Sequence, residues 1–381
     1  MKQEPQNPKI RLALIGCGHI TRRMHIPSLL QLPQLFEVVA LCDIEDGPMR
    51  QAADLLCANR GPEYRKFLES RFYRDEKAIA SLSDVDAVLM ATPNWHHEGA
   101  ILPFMEAGKD VFCEKPVALT VEAHDRIELE IERTGRIFQV GMVFRYSPFF
   151  NTIRRYLEEG RIGALQMLHL HEFRAYPPPE WRFRKALAGE VYLEKNCHHF
   201  DIFNWMVGQN VKPRRISAFG GQNVLKMGSK RPVELLSGEK AVIDYSETID
   251  NFWCMVEYEN DVRCSMGLSF FCPQGKELKL GFIGDMGKID AWEHQKLIQV
   301  WNRDSKPETL LPQGQAGTEW AVNAQPQRYF VHYGSIEQWE NFHKSVLTRQ
   351  KPFCDILKAR DSARLALAAE KSMVTGNVVT L

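Results

Sequence analysis

Lys115 lies in the stretch Val111-Phe112-Cys113-Glu114-Lys115-Pro116, where three apolar residues give way to two opposite charges directly before a proline. The apolar triplet reads as a buried strand. Proline ends it and restricts Lys115 to extended backbone, or permits a cis bond, so the ammonium is held in a fixed direction. An ammonium so held can stabilise a developing alkoxide or take part in proton transfer. An isolated Glu-Lys-Pro triplet is more often a surface ion pair at a strand end, so its meaning depends on what surrounds it.

A second group with chemical potential runs from Tyr176 to Trp205. Leu193, Cys197, Phe200, Phe203 and Trp205 give one broad apolar side to a predicted helix, on which Glu194 and His198 stand one turn apart. A carboxylate at that spacing can orient an imidazole and stabilise its protonated form, as a general base taking a hydroxyl proton requires. A surface salt bridge is the commoner use of such a pair. Ahead of it, Pro177-Pro178-Pro179 stiffens a loop carrying Tyr176, Trp181, Arg182, Phe183 and Arg184. Aromatic faces beside fixed donors suit a hydroxyl-rich ring, although a loop clamped onto its own domain uses the same residues. His169, His171 and Glu172 on one strand, with Cys197, His198 and His199 on the helix, raise the question of a metal. Nothing in the sequence brings the two groups together and the H-E-x-x-H spacing is absent, so no metal is expected.

These side chains need elements to position them. Ile10 to Ile15 reads as a strand followed at once by Gly16-Cys17-Gly18-His19-Ile20-Thr21, with a helix possible as far as Pro27. Two glycines let the backbone approach a pyrophosphate, and N–H groups at the helix start attract its charge; Thr21 replaces the third glycine of the usual fingerprint. The next strand, Glu37 to Cys42, ends in Asp43, where an acid can bind the ribose hydroxyls and repel a 2'-phosphate. NAD is therefore expected rather than NADP. A further strand, Val85 to Ala91, leads into Thr92-Pro93-Asn94-Trp95-His96-His97, which places Asn94 and His97 where strand ends face a ligand. Helices are expected over Asp46 to Cys57, Glu98 to Ala107 and Val121 to Thr134, and a strand over Ile137 to Val140. No role is assigned to the connection from Asn59 to Tyr73.

Alternating strands and helices predict a doubly wound parallel sheet of Rossmann type over residues 1–143. Residues 144–381 read as a second domain, with a helix over Asn151 to Glu159 and strands over Leu165 to Phe173, Arg215 to Val224, Phe252 to Phe270 and Glu277 to Ala291. Gly284-Asp285-Met286-Gly287 signals a hairpin turn. Helical periodicity returns over Ser335 to Leu347 and Asp355 to Met373. Length and composition agree with two globular domains: 381 residues, 44% hydrophobic and 25% charged. Lysine plus arginine and aspartate plus glutamate number 48 each, so net charge gives no case for nucleic acid or an anionic membrane as partner. A polar N-terminus and the lack of a long apolar run point to the cytoplasm. The 9 cysteines are scattered, without C-x-x-C, and read as reduced thiols.

Taken in order, Gly16-x-Gly18, Asp43, Thr92-Pro93-Asn94-x-x-His97, Glu114-Lys115-Pro116 and Glu194-x-x-x-His198-x-x-Asp201 resemble the glucose-fructose oxidoreductase and inositol dehydrogenase family (Gfo/Idh/MocA). The resemblance runs from about Ile10 to Leu381. It implies an NAD(P)-binding Rossmann domain followed by an α+β domain with a large, mostly antiparallel open sheet often used for oligomer contacts, hence a homodimer or homotetramer. Cofactor contacts are expected at Gly16, Gly18, His19, Ile20, Asp43, Thr92, Asn94, His97, Glu114 and Lys115. Lys115 and His198 become the acid-base groups and Glu194 assists His198. Arg145, Trp181 and Arg182 fall where the family often meets substrate, and Lys195 and His199 are further candidates there. Glu194 stands where aspartate is commoner in the family and Asn196 where glycine is common; Lys195 adds a second cation. The activity so implied is NAD-dependent oxidation of a secondary hydroxyl of a sugar, cyclitol or glycoside. Two alternatives stand beside it: a glycoside-modifying enzyme that recycles its NAD internally, and a non-catalytic NAD-binding regulator.

Overall fold

Short strands whose residues are buried on both faces require cover above and below, and the first part of the chain supplies it with helices. In the computed structural model, which describes residues 8–174, 180–225, 228, 230–234, 240–244, 247–272, 277–310 and 334–381, the chain groups into two units. One comprises Met1–Ser147 with Pro326–Arg360, the other Pro148–Gln325 with Asp361–Leu381.

The first unit holds β1 (Ile10–Ile15), β2 (Phe36–Cys42), β3 (Phe72–Tyr73), β4 (Ala87–Met90), β5 (Asp110–Cys113) and β6 (Phe138–Val140). They form a parallel sheet ordered β3-β2-β1-β4-β5-β6. The order reverses between β1 and β4, where the carboxyl ends of the strands open a crevice suited to a dinucleotide. Every residue of β4 and β5 is buried. Helix Asp46–Cys57 lays Met49, Ala52, Ala53 and Leu56 into the core with Leu12, Val38 and Leu41. The connection without an assigned role contains a helix, Pro62–Glu69, whose first position is the proline, and then β3. Helix Ser335–Thr348 adds Ile336, Trp339 and Phe342 to the same core, with the rings of Trp339 and Phe112 4.5 Å apart.

The second unit contains a nine-stranded sheet ordered β16-β15-β14-β13-β7-β12-β11-β8-β17. Its strands are β7 (Leu165–Phe173), β8 (Pro213–Gly221), β11 (Asn251–Tyr258), β12 (Arg263–Ser269), β13 (Glu277–Gly284), β14 (Gly287–Trp292), β15 (Leu297–Asn302), β16 (Glu308–Leu310) and β17 (Val379–Thr380). A separate hairpin pairs β9 (Lys230–Glu234) with β10 (Lys240–Asp244). All neighbours in the large sheet are antiparallel except β7 and β12. On β11 the inward residues Phe252, Cys254, Val256 and Tyr258 alternate with the outward Trp253 and Met255. The turn signalled by Gly284 to Gly287 joins β13 to β14. The strand-like stretch from Phe252 to Phe270 is in fact two strands, turning where Asp261 takes a φ of 63°. Aspartate tolerates that left-handed conformation better than most residues. Among the described residues no helix is long and apolar enough to cross a membrane.

Candidate active site

The glycine turn after β1 is shaped for close approach. Gly16 has a φ of 87°, and a Cβ added there would stand 2.6 Å from the Ala91 carbonyl oxygen, so only glycine fits between β1 and the end of β4. A Cβ on Gly18 would meet nothing within 4 Å, which leaves the turn open on that side. Thr21, at the position of the missing third glycine, is fully buried and donates its hydroxyl to the Gly16 carbonyl at 2.6 Å. His19 is exposed and Ile20 half-buried at the first turn of the helical run. That run does not stop at Pro27: a π-turn, Thr21–His25, passes into Ile26–Leu29. The wider turn accommodates a residue without an N–H. Asp43 is tied to the turn, its carboxylate accepting the Cys17 N–H at 2.8 Å and the Glu45 N–H at 3.2 Å. An open glycine turn linked to an acid at the end of β2 fits the pyrophosphate and ribose of NAD.

The Glu114-Lys115-Pro116 corner is fastened on both sides of the lysine. Glu114 is buried; one carboxylate oxygen lies 2.9 Å from His25 Nε2 and the other accepts the Lys115 N–H at 3.2 Å. A Cβ on Gly141 would stand 2.6 Å from Glu114 Oε1, so that glycine makes the room the carboxylate occupies. Pro116 follows through a cis peptide bond. Its carbonyl oxygen lies 3.0 Å from His97 Nδ1, and the Thr92 carbonyl oxygen 2.9 Å from His97 Nε2. His97 is fully buried, and burial pushes its imidazole below the usual value against the pull of the two carbonyls. It therefore lies between the Thr92 loop and the Lys115 corner, and in its neutral form donates to one of the two carbonyls. Asn94 is buried beside it in sequence, and Lys115 itself is partly exposed. Arg145, also expected at the site, is buried with its guanidinium 5.8 Å from the centre of the Phe353 ring.

In the second unit the predicted single helix through Glu194 and His198 is two. Val191–Glu194 ends, Lys195 and Asn196 turn, and Cys197–Val207 begins. The break follows from Asn196, whose amide points inward, 2.7 Å from His199 Nδ1 and 3.2 Å from Met266 Sδ. Glu194 and His198 are both buried. Arg182 places Nε 3.4 Å from Glu194 Oε1 and its guanidinium carbon 5.4 Å from the centre of the Trp181 ring. Lys195 and His199 turn towards a residue that sequence reasoning had considered only for a metal: Glu172 on β7. Lys195 Nζ lies 3.0 Å and His199 Nε2 3.2 Å from Glu172 Oε2, and Arg174 donates to Oε1 at 2.8 Å. Burial pushes Glu172 up, but Lys195, His199 and Arg174 outweigh it and hold the carboxyl well below its usual range. His199 is pushed down by burial despite that carboxylate. The consistent state is an ionised Glu172, a charged Lys195 and a neutral His199 that takes a hydrogen bond from Asn196 on Nδ1. His169 and His171 share the opposite face of β7, and among the described residues no group of three or more histidine, cysteine or acidic side chains is placed to hold a metal. Tyr176 and Pro177 to Pro179 lie outside the described residues.

His25, Gly141, the pairing of Glu172 with Lys195 and the Arg182–Glu194 contact were missed in the sequence. The one available signal for His25 was a polar residue between two apolar ones, Met24 and Ile26, which are both buried.

Residues 10–142 match the model for the GFO/IDH/MocA oxidoreductase family, NAD-binding Rossmann fold, and residues 150–290 match the GFO/IDH/MocA C-terminal domain. Inositol 2-dehydrogenase 2 of Saccharopolyspora erythraea is 28% identical over 377 residues, 97% of this chain and 94% of that protein. Inositol 2-dehydrogenase of Burkholderia cenocepacia is 30% identical over 285 residues, 73% of this chain and 72% of its own. Among solved structures, levoglucosan dehydrogenase in complex with NADH superposes with a TM-score of 0.79 at 18% identity, covering 98% of this chain and 99% of that one. At that identity the likeness is one of fold.

Proposed function

The chain belongs to the GFO/IDH/MocA oxidoreductase family, and from that premise we propose that it oxidises a secondary hydroxyl of a sugar, cyclitol or glycoside to a ketone. The observation that carries this reading is the Lys115 corner: a partly exposed lysine fixed on one side through Glu114 and on the other through the Pro116 carbonyl, in a unit built to bind NAD. The inositol dehydrogenase relatives supply the substrate class.

Gly16 and Gly18 admit the pyrophosphate, His19 and Ile20 start the helix that faces it, and Asp43 takes the ribose hydroxyls. Thr92, Asn94 and His97 shape the nicotinamide end. When bound, NAD supplies the hydride acceptor. Lys115 stabilises the alkoxide that forms as the hydroxyl loses its proton, and His198 takes that proton, with Glu194 orienting the imidazole. Arg145, Trp181 and Arg182 bind the substrate's remaining hydroxyls. Lys195 and His199, drawn onto Glu172, steady the start of the helix that carries His198.

The test is to denature the purified protein, identify any released nucleotide, and follow NADH absorbance with NAD and a panel of inositols, sugars and glycosides. NADH accumulating with one class supports the reading and names the substrate. Bound NAD with products but no NADH replaces it with internal recycling of the cofactor; no product with any of them turns it towards a regulator.

The outward face of the large sheet is read as the contact between copies, giving a homodimer or homotetramer. Phe219 and Trp253 are exposed at paired positions of β8 and β11, Met255 stands two residues further along β11, and Met167 is exposed on the same face of β7; the Trp253 ring lies over Gly267, where a Cβ would stand 2.7 Å away. Apolar surface of this kind favours association. Trp253→Glu is expected to lower the mass measured in solution to that of a smaller assembly; a wild-type protein that is already monomeric removes the proposal.

A further inference from the structure

Two histidines are buried at the Lys115 corner, and only one of them, His97, belongs to a motif with an expected role. The other follows the glycine turn by a short helical segment. His25 is fully buried, with its ring edge-on to Phe112 and Trp339 at centroid distances of 5.5 and 5.6 Å. Those two rings fix its orientation. Its Nε2 meets Glu114, and its Nδ1 has no hydrogen-bonding partner among the described residues. In the neutral ring the proton therefore sits on Nε2 and is donated to the carboxylate.

We infer that His25 is a positioning residue for Lys115, acting through Glu114: it holds a buried carboxylate in place and in its charged form, and that charge, bonded to the Lys115 N–H, sets both the path of the backbone and the proton affinity of the ammonium. The inference rests on the assignment of Lys115 to the reaction. A buried histidine–carboxylate pair contributes little to stability, because desolvation offsets its attraction. The pair's attachment to the backbone of the one lysine between them and Pro116 gives it a different use. A fixed anion next to an ammonium favours the protonated form.

The titratable groups brought against Glu114 are His25 from the π-turn, His97 from the helix His97–Glu106, Cys113 from β5 and Lys115 itself. Gly141, directly after β6, packs against the carboxylate. Burial alone pushes Glu114 up; His25 and Lys115 outweigh it and leave the carboxyl below its usual value. Cys113 is pushed far up by burial and adds no charge. Burial likewise favours the neutral form of His97. Glu114 is thus the anion of the group.

Glu114→Gln keeps the shape and removes the charge. The Lys115 pKa, read from the pH dependence of its acylation by acetic anhydride with mass spectrometry of the Lys115 peptide, is expected to fall by about one unit. The kcat profile should move the same way, with KM for NAD changing less than about threefold. His25→Phe keeps the ring packing but removes the imidazole donor and leaves the buried carboxylate only the Lys115 N–H, so Glu114 takes up a proton and the same fall appears. His25→Gln keeps an N–H and restores most of the wild-type value. An unchanged Lys115 pKa in folded Glu114→Gln protein overturns the inference. Should that variant not fold, equal Lys115 pKa values in His25→Phe and His25→Gln overturn it instead. A fall in the acylation pKa with a stationary rate profile upholds the charge coupling and places the failure on the role given to Lys115.

Discussion

Each unit of this molecule contains a buried carboxylate beside a lysine and a histidine, and the two arrangements are built differently. Glu114 gives one oxygen to His25 and the other to the backbone N–H of Lys115. Glu172 gives its oxygens to side chains: Lys195, His199 and Arg174. The first anion holds a piece of main chain; the second neutralises cations packed around it. A carboxylate bonded to the backbone fixes where the next side chain starts. A carboxylate paired with the ammonium itself draws the charge towards the interior. Lys115 is accordingly read as a group that acts on substrate, and Lys195 as a group that holds the second unit together.

That contrast is broken most decisively by removing each lysine in turn. Lys115→Ala is expected to lower kcat by about 10²- to 10⁴-fold, the range for losing an acid-base or alkoxide-stabilising group, with little change in thermal midpoint. Lys195→Ala should do the reverse, leaving kcat within about tenfold while costing about 1–3 kcal/mol, because Glu172 loses one of its partners in a buried setting. Paired measurements of turnover and urea midpoint on both variants check this. Equal effects of the two substitutions on kcat would show that the distinction between the clusters does not hold.

The first unit was legible because its signals are local. Thr120 accepts the Ala123 N–H and Gly135, at a φ of 62°, closes the helix Val121–Thr134, and both residues announce those limits in the sequence. The apolar runs Leu12 to Ile15, Ala87 to Met90 and Val111 to Cys113 are continuous because the strands are covered on both faces. Helical periodicity over Ser335 to Leu347 showed an apolar side, but not that Trp339 would pack on Phe112. The break at Lys195 and Asn196 was hidden because apolar residues continue in helical spacing across it; what ends the first helix is an amide turned inward to His199 and Met266. Sequence reasoning did bring Glu172 and His199 into one argument, as possible metal ligands. The structure puts them 3.2 Å apart with Lys195 as the cation, a contact whose partners sit on separate elements and which no spacing rule reports. The contact between His25 and Glu114 was unreadable for the same reason.

A smaller effect sharpens the comparison through pH. The Glu172 carboxyl lies well below its usual value in the folded protein, burial being outweighed by Lys195, His199 and Arg174. A carboxylate depressed on folding contributes stability that is fully present above its unfolded pKa, about 4.3, and is lost as pH falls through the folded value. His199 acts with the same sign at higher pH. Burial lowers its folded value, so below about 6.5 the unfolded chain takes up a proton that the folded ring resists, and stability declines. Glu172→Gln is therefore expected to be less stable than wild type near neutral pH, by about 1–3 kcal/mol. The difference should narrow as the pH is taken below about 4, where the unfolded wild-type chain takes up a proton that the folded carboxylate resists. Urea midpoints of both proteins across that range measure it. A gap that stays constant with pH would mean that the shape of Glu172, rather than its charge, holds Lys195 and His199.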